Sequence, residues 1–204
     1  MFDFTSALRE LYMDDFFDAI ASGDDGRAER ALPALASMDH VQVSTELIAR
    51  LRAANPDGRW WIARTLATLP TRQSAATLIE MLNDPDSDVR ACAALALGEL
   101  HAMVGAEAAD ALAAHLADES AHVAEVCTVA LARIGARAIP TLLRALQDGV
   151  PVERIRAAKA LVPIESHEAI PALIHALDDE DAIVTHYAQD ALERMGVGIV
   201  LLQP

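Results

Sequence analysis

Leucine recurs along this chain at a nearly fixed interval. Leu35, Leu66, Leu97, Leu131, Leu161 and Leu192 are separated by 31, 31, 34, 30 and 31 residues, each inside the same frame of apolar and polar positions. VRACAALALGEL (89–100) superposes on VAEVCTVALARI (123–134), placing Val89, Leu97 and Leu100 over Val123, Leu131 and Ile134. ERIRAAKALVPI (153–164), VTHYAQDALERM (184–195) and GRWWIARTLATL (58–69) repeat the frame, and residues 27–38 carry a weaker copy. Apolar residues three and four apart predict an amphipathic helix in every copy. A second segment follows: ELIARL (46–51), TLIEML (77–82), ALAAHL (111–116), TLLRAL (141–146) and ALIHAL (172–177) align without gaps. Their paired leucines, such as Leu142 and Leu146, share one helix face. The breaks NPDG, NDPDSD, ADESAH, QDGVP and DDEDA supply turn and N-cap residues between repeats. Pro140 and Pro171 fall in a first helical turn, where the missing N–H costs nothing.

A pair of short helices cannot bury its own apolar stripe, so neighbouring pairs must stack. The fold class expected is all-α: a right-handed α-α superhelix, or solenoid, of about five to six helical hairpins. The expected organisation is one repeat domain over 1–204, with an N-terminal capping helix in 1–22, repeats in 24–196 and an apolar tail at 197–204. Phe2, Phe4, Phe16 and Phe17 all precede residue 18, together with Tyr12, which suits a helix packed on the first repeat. The tail begins where a last second helix belongs, yet is too short to complete one. It is expected either to fold back as a partial cap or to join another chain, with self-association through this end favoured. The wider gap at HAMVGAE (101–107) predicts a protruding, mobile loop.

Composition sharpens this picture. Hydrophobic residues make up 53% of the 204 residues but aromatics only 4%, so the apolar content is mainly alanine and aliphatic side chains, which favours helices. The formal charge is −15, which repels phosphate backbones, and no basic stripe interleaved with aromatics appears. No nucleic acid partner is expected. The start MFDFTSALREL lacks a basic region followed by an apolar run, and no stretch approaches eighteen uncharged apolar residues. Cys92 and Cys127 make no disulfide framework. No membrane association and a cytoplasmic location are expected.

Two segments, AIPALIHALDDEDAIVTHYAQDALERMG and DPDSDVRACAALALGEL, resemble HEAT repeats. They look most like the short bacterial type first associated with phycobilisome lyases, and the resemblance runs over roughly 24–196. It implies an α-solenoid, a scaffold that hosts many unrelated roles. In similar repeats an Asp–Arg ladder ties successive turns. The resemblance therefore implies structural roles for Arg59, Arg90 and Arg154, which share one column, and for Asp88, Asp118 and Asp148, which with Asp57 mark the turns. Ala124 and Thr185 interrupt the arginine column.

Candidate chemistry is sparse. The HEAT-repeat enzyme deoxyhypusine hydroxylase holds two irons with repeated His-Glu dipeptides, whereas here His167–Glu168 is a single copy at the approach to a second helix. One imidazole and one carboxylate are too few for a di-iron site. HExxH is absent because Pro171 stands at the second histidine position. Cys92 and Cys127 read as small core residues. His115 and His122 flank one turn, but two ligands do not make a zinc site. GxGxxG and Walker A loops are missing as well. No catalytic residue, metal or cofactor is expected.

The function expected is a protein-binding scaffold or regulatory adaptor whose partner is another protein. The second-helix column Ala49, Glu80, Ala114, Arg144 and His175 should face the concave side, which makes Glu80, Arg144 and His175 candidate partner-binding residues. Trp60 is the fourth candidate. Neighbouring helical positions point about 100° apart, so Trp60 and Trp61 cannot share one buried face. Trp61 falls three residues after the Val89-type anchor position and should be buried with its indole N–H on a carbonyl or carboxylate. Trp60 falls in a mostly polar or small column and should look outward. The alternative function is that of a bilin lyase or a subunit of one, which the lyase resemblance implies. A third class, the alkylpurine-DNA glycosylase-like solenoid, is disfavoured because those proteins present a basic concave face.

Overall fold

A computed structural model describes residues 4–197 of the chain. The chain forms two compact units, divided between Met103 and Val104. The first unit contains α1 (Phe4–Ser22), α2 (Asp25–Ala36), α3 (His40–Leu51), α4 (Pro56–Leu66), α5 (Arg72–Met81) and α6 (Ser87–Glu99). The second contains α7 (Ala106–Ala113), α8 (Ala121–Ile134), α9 (Ile139–Asp148), α10 (Pro151–Leu161), α11 (Ile170–Ala176) and α12 (Ala182–Arg194). Among the described residues there is no strand. The fold is an all-α superhelical repeat fold.

Seven helices start on a capping side chain that their sequence supplies. Side chains of Asp24, Asp39, Asn55, Thr71, Asp86, Ser120 and Asp181 accept the exposed N–H groups of the first turns of their helices. Pro56 and Pro151 open α4 and α10. All the anchor leucines of the first helices are at most 2% exposed, and the second-helix leucines Leu47, Leu78, Leu112, Leu142 and Leu173 are completely buried. In the first unit α4 packs on α6 while α3 stacks on α5; in the second α10 packs on α8 and α12, and α9 stacks on α7 and α11. The alanines of α6 let its neighbours approach closely, and Val89 to Ala94, Ala96, Leu97 and Gly98 are all buried.

The long helix α1 lies against α2 and α4 with Met13, Phe16 and Ala19 inward. Arg9 pairs with Glu46 at 2.6 Å, Arg27 with Asp15, and the Arg50 guanidinium sits 4.4 Å over the Phe17 ring. Phe2, the Phe4 side chain and residues 198–204 lie outside what is described, and with them the expectations placed on the tail.

Two stretches bear on the expectations from sequence. Residues 101–103 are exposed, as a protruding loop requires, while Val104 is drawn inward, 4% exposed with its carbonyl accepting from Arg137 at 3.4 Å. The run Ala121–Asp148 holds an 18-residue window with a mean hydropathy of 1.5, apolar enough on composition alone for a bilayer, although half of that window is buried. Gly135, at φ 69°, breaks it into α8 and α9. At 1.5 Å per residue the 14 residues of α8 reach about 21 Å, short of a ~30 Å hydrocarbon core.

Candidate functional site

Two arginines of the column form inter-repeat clasps, Arg59 and Arg154, and their acids are Asp84 and Asp179. Arg59 closes a two-pronged pair on Asp84, at 2.7 and 2.8 Å, and Arg154 closes the same pair on Asp179 at 2.9 and 3.1 Å. Both pairs span 25 residues, from a first helix to the turn before the next. Each arginine also holds a carbonyl of its own preceding turn: Ala54 for Arg59, Asp84 and Pro85 for Arg90, and Gly149 for Arg154. Asp84 and Asp179 in turn accept the N–H groups of Asp86 and Asp181, and Asp118 accepts that of Ser120.

The geometry therefore corrects the ladder. Asp88, in the first turn of α6, is exposed, and the acid that Arg59 meets is Asp84. Asp148 shares the Asp84 column but is exposed, because the arginine position of the preceding first helix is Ala124. Glu180 joins Asp179 on Arg154 at 3.0 Å, an acid that sequence reading missed. Burial alone pushes the Asp84 and Asp179 carboxyls up. The arginine hydrogen bonds, the backbone N–H donors and the adjacent positive charge outweigh it and hold both below the ordinary carboxylate range.

The tryptophans of α4 divide as their columns predict. Trp61 is 6% exposed, edge-on to Phe16 at 6.4 Å, and its indole N–H donates to Asp25 Oδ1 at 3.2 Å. Trp60 is half-buried, edge-on to Trp61 at 5.1 Å, with the Arg64 guanidinium 5.8 Å from its ring centre. Arg64 is held in turn by Glu29 through bonds of 2.7 and 3.0 Å. The Trp60 carbonyl accepts from the Cys92 thiol at 3.6 Å.

The second-helix column behaves as one surface position throughout. Ala49, Glu80, Ala114, Arg144 and His175 are all exposed, one repeat after another. In the second unit Arg144 reaches from α9 to Asp110 on α7 at 2.5 Å, and Thr141 donates to the same carboxylate. Asp110 and Thr141 had no local sequence signal, because they meet only across a repeat. Each unit also carries a cleft. One, of about 540 Å³, lies between α1 and the end of α3 and includes Asp14, Phe17, Asp18 and Arg50. The other, of about 520 Å³, lies between α9, α11 and the turn before α12.

His167 and Glu168 sit exposed in a single 3-10 turn. His115 turns to Asp118 at 3.1 Å and so is engaged within its own turn. Three His, Cys, Asp or Glu side chains nowhere converge to hold a metal among the described residues. Both cysteines are buried, and burial pushes the Cys92 thiol up to about 12, with the nearby Arg64 offsetting little of it.

Stacked helical hairpins, a constant leucine frame and a variable exposed column define an α-helical repeat scaffold. The chain belongs to the HEAT-repeat family, whose model matches residues 44–132 and 109–193. Its fold is similar to that of the complex of CpcE and CpcF of phycocyanin lyase from Nostoc sp. PCC7120, 25% identical, covering 92% of this chain and 77% of that one with a TM-score of 0.51. A designed armadillo repeat protein in complex with a (KR)4 peptide is 18% identical, covering 88% and 98% at a TM-score of 0.50. An engineered protein is 22% identical, covering 84% and 54% at a TM-score of 0.52. Comparison with curated proteins gave no match.

Proposed function

We propose that this chain is a non-catalytic protein-binding scaffold or adaptor acting in the cytoplasm, with the exposed second-helix positions of each unit as its recognition residues. One observation carries the reading. The column Ala49, Glu80, Ala114, Arg144, His175 changes chemistry at every repeat while the leucines beside it stay constant and buried. A purely structural position in a stacked array meets the same neighbours each time and has no reason to vary so. The similarity to the CpcE–CpcF complex supports a protein partner. Affinity capture from the native host, followed by mass spectrometry, should recover a partner with the wild-type chain. Glu80→Arg, Arg144→Glu and His175→Glu combined should lose it. Equal recovery with both would remove the column from consideration.

The second reading, a bilin lyase or a subunit of one, is favoured by the similarity to the phycocyanin lyase complex. Mixing the purified chain with a bilin tests it: a shifted, saturable visible absorbance supports this reading, and a spectrum equal to that of the free bilin removes it.

A further inference from the structure

We infer that the cleft between α9, α11 and the turn before α12 docks a Lys or Arg side chain carried on an apolar stretch of the partner protein. The inference rests on the scaffold reading and names the chemistry of the segment recognised. The cleft measures about 520 Å³, far more than a single ion needs. Its inner wall includes Leu146, Ala172 and Ala176, while Asp178, Asp179 and Glu180 line the turn side. Arg154 is the one Lys or Arg in the lining, which also includes His175, and it is already divided between Asp179 and Glu180. Asp178 is exposed and makes no ion pair among the described residues. Arg144, which precedes this lining on α9, is turned away to Asp110 on α7. The cleft is therefore left with uncompensated negative charge beside an apolar wall.

The cleft of the first unit shows how the chain satisfies such a place internally. There Arg50 lies over the Phe17 ring and 3.7 Å from Asp14, so the cation comes from the chain itself. The second-unit cleft has no such side chain to spare. Exposed aliphatic residues also stand close in sequence to the lining. Val150 and Val152 are 54% and 37% exposed on the stretch between Gln147 and Arg154, both of which line the cleft. Ile174, next to His175, is 49% exposed, and Ile183, three residues beyond Glu180, is 50% exposed. An aliphatic stem on Leu146, Ala172 and Ala176, an ammonium or guanidinium head at Asp178 and Glu180, and flanking apolar residues on the exposed valines and isoleucines fit together. The net charge of −15 adds long-range attraction for a basic segment.

A labelled peptide of alternating leucine and lysine, titrated at low salt with the full chain and followed by fluorescence anisotropy, tests the inference. Saturable binding is expected, weakened about tenfold in D178N/E180Q. Both substituted residues are exposed, the Glu180 side chain by 82%, and the two-pronged Arg154–Asp179 pair that holds the turn is kept; an unchanged melting temperature checks that the fold is intact. A peptide with serine in place of leucine should bind about tenfold more weakly, because it keeps only the charge. No saturable binding, equal binding by D178N/E180Q, or equal binding of the serine peptide would each overturn the inference. If host-protein capture still depends on the second-helix column while the peptide fails to bind, the scaffold reading stands and the cleft assignment alone falls.

Discussion

Replacing Trp61 by alanine is the most severe single perturbation of the first unit, and its cost follows from the contacts in hand. The ring is 6% exposed, edge-on to Phe16 and Trp60, and its N–H is committed to Asp25. A buried aromatic side chain withdraws ~150–250 Å² from water, which at ~25 cal/mol per Å² is an upper estimate of about 4–6 kcal/mol. Alanine keeps the first carbon of that, and the remaining void relaxes only in part, so the expected loss is about 3–5 kcal/mol. Trp61→Phe separates the contributions. It keeps most of the aromatic contact and loses the bond to Asp25, whose carboxylate is exposed and rehydrates, so about 1–2 kcal/mol is expected. Trp60→Ala removes a ring already half in water and should cost about 1–2 kcal/mol as well. Urea unfolding, followed by far-UV circular dichroism and by the remaining tryptophan, reads all three. The chain has 2 tryptophans, both on α4, so the fluorescence reports the first unit specifically. A loss below about 1 kcal/mol for Trp61→Ala, or equal losses for Trp60→Ala and Trp61→Ala, would refute the packing argument.

Acid should loosen the two clasps. Asp84 and Asp179 have folded pKa values below their unfolded ones, so their stabilisation is complete above the unfolded carboxylate value of about 3.9 and is lost as pH falls through the lowered folded values. Melting temperature measured from about pH 6 to about pH 2 should fall more steeply for wild type than for D84N/D179N, and parallel curves would contradict this. Glu165 is a non-glycine residue at φ 51°, and its pair with Arg194, with both side chains about half exposed, contributes little. Glu165→Gly should therefore stabilise the chain by about 0.5–1 kcal/mol, and a lowered melting temperature would show that the pair outweighs the strain. Cys92 and Cys127 should resist a thiol reagent at about pH 8 and react only when urea is added; rapid labelling of the folded chain would contradict their burial.

The leucine frame was legible because every repeat must bury the same column, so the same residue returns wherever the backbone does. The division of labour between Trp60 and Trp61 followed from the same frame. The clasps were only half legible. Arg59, Arg90 and Arg154 stood out as a column, but their acids were sought near the helix starts, which selected Asp88. Measured from the anchor leucines, Asp84 and Asp179 each lie thirteen residues before Leu97 and Leu192, and Asp118 and Asp148 hold the same place before Leu131 and Leu161. Counting from the anchor would have found them. The Asp110–Thr141–Arg144 cluster gave no such signal, since its members are joined only by the stacking of α7 on α9. Val104 escaped notice for a different reason: the long gap is a loop, and nothing local announces that one valine within it is buried.

The missing arginine at Ala124 has a mechanical consequence. Within the second unit, the turn from α11 to α12 is riveted by Arg154 through Asp179 and Glu180. At the turn from α9 to α10, Asp148 faces no arginine from α8, and the one guanidinium present, that of Arg154, grips the Gly149 carbonyl from the α10 side only. Gly149 offers little chance of reinforcement, since a Cβ there would stand 2.3 Å from the Ala145 carbonyl oxygen. Under tension applied along the chain, this turn has no rivet from the preceding first helix and relies on the packing of α9 against α10 and on the Glu153 cap of the Val150 N–H instead.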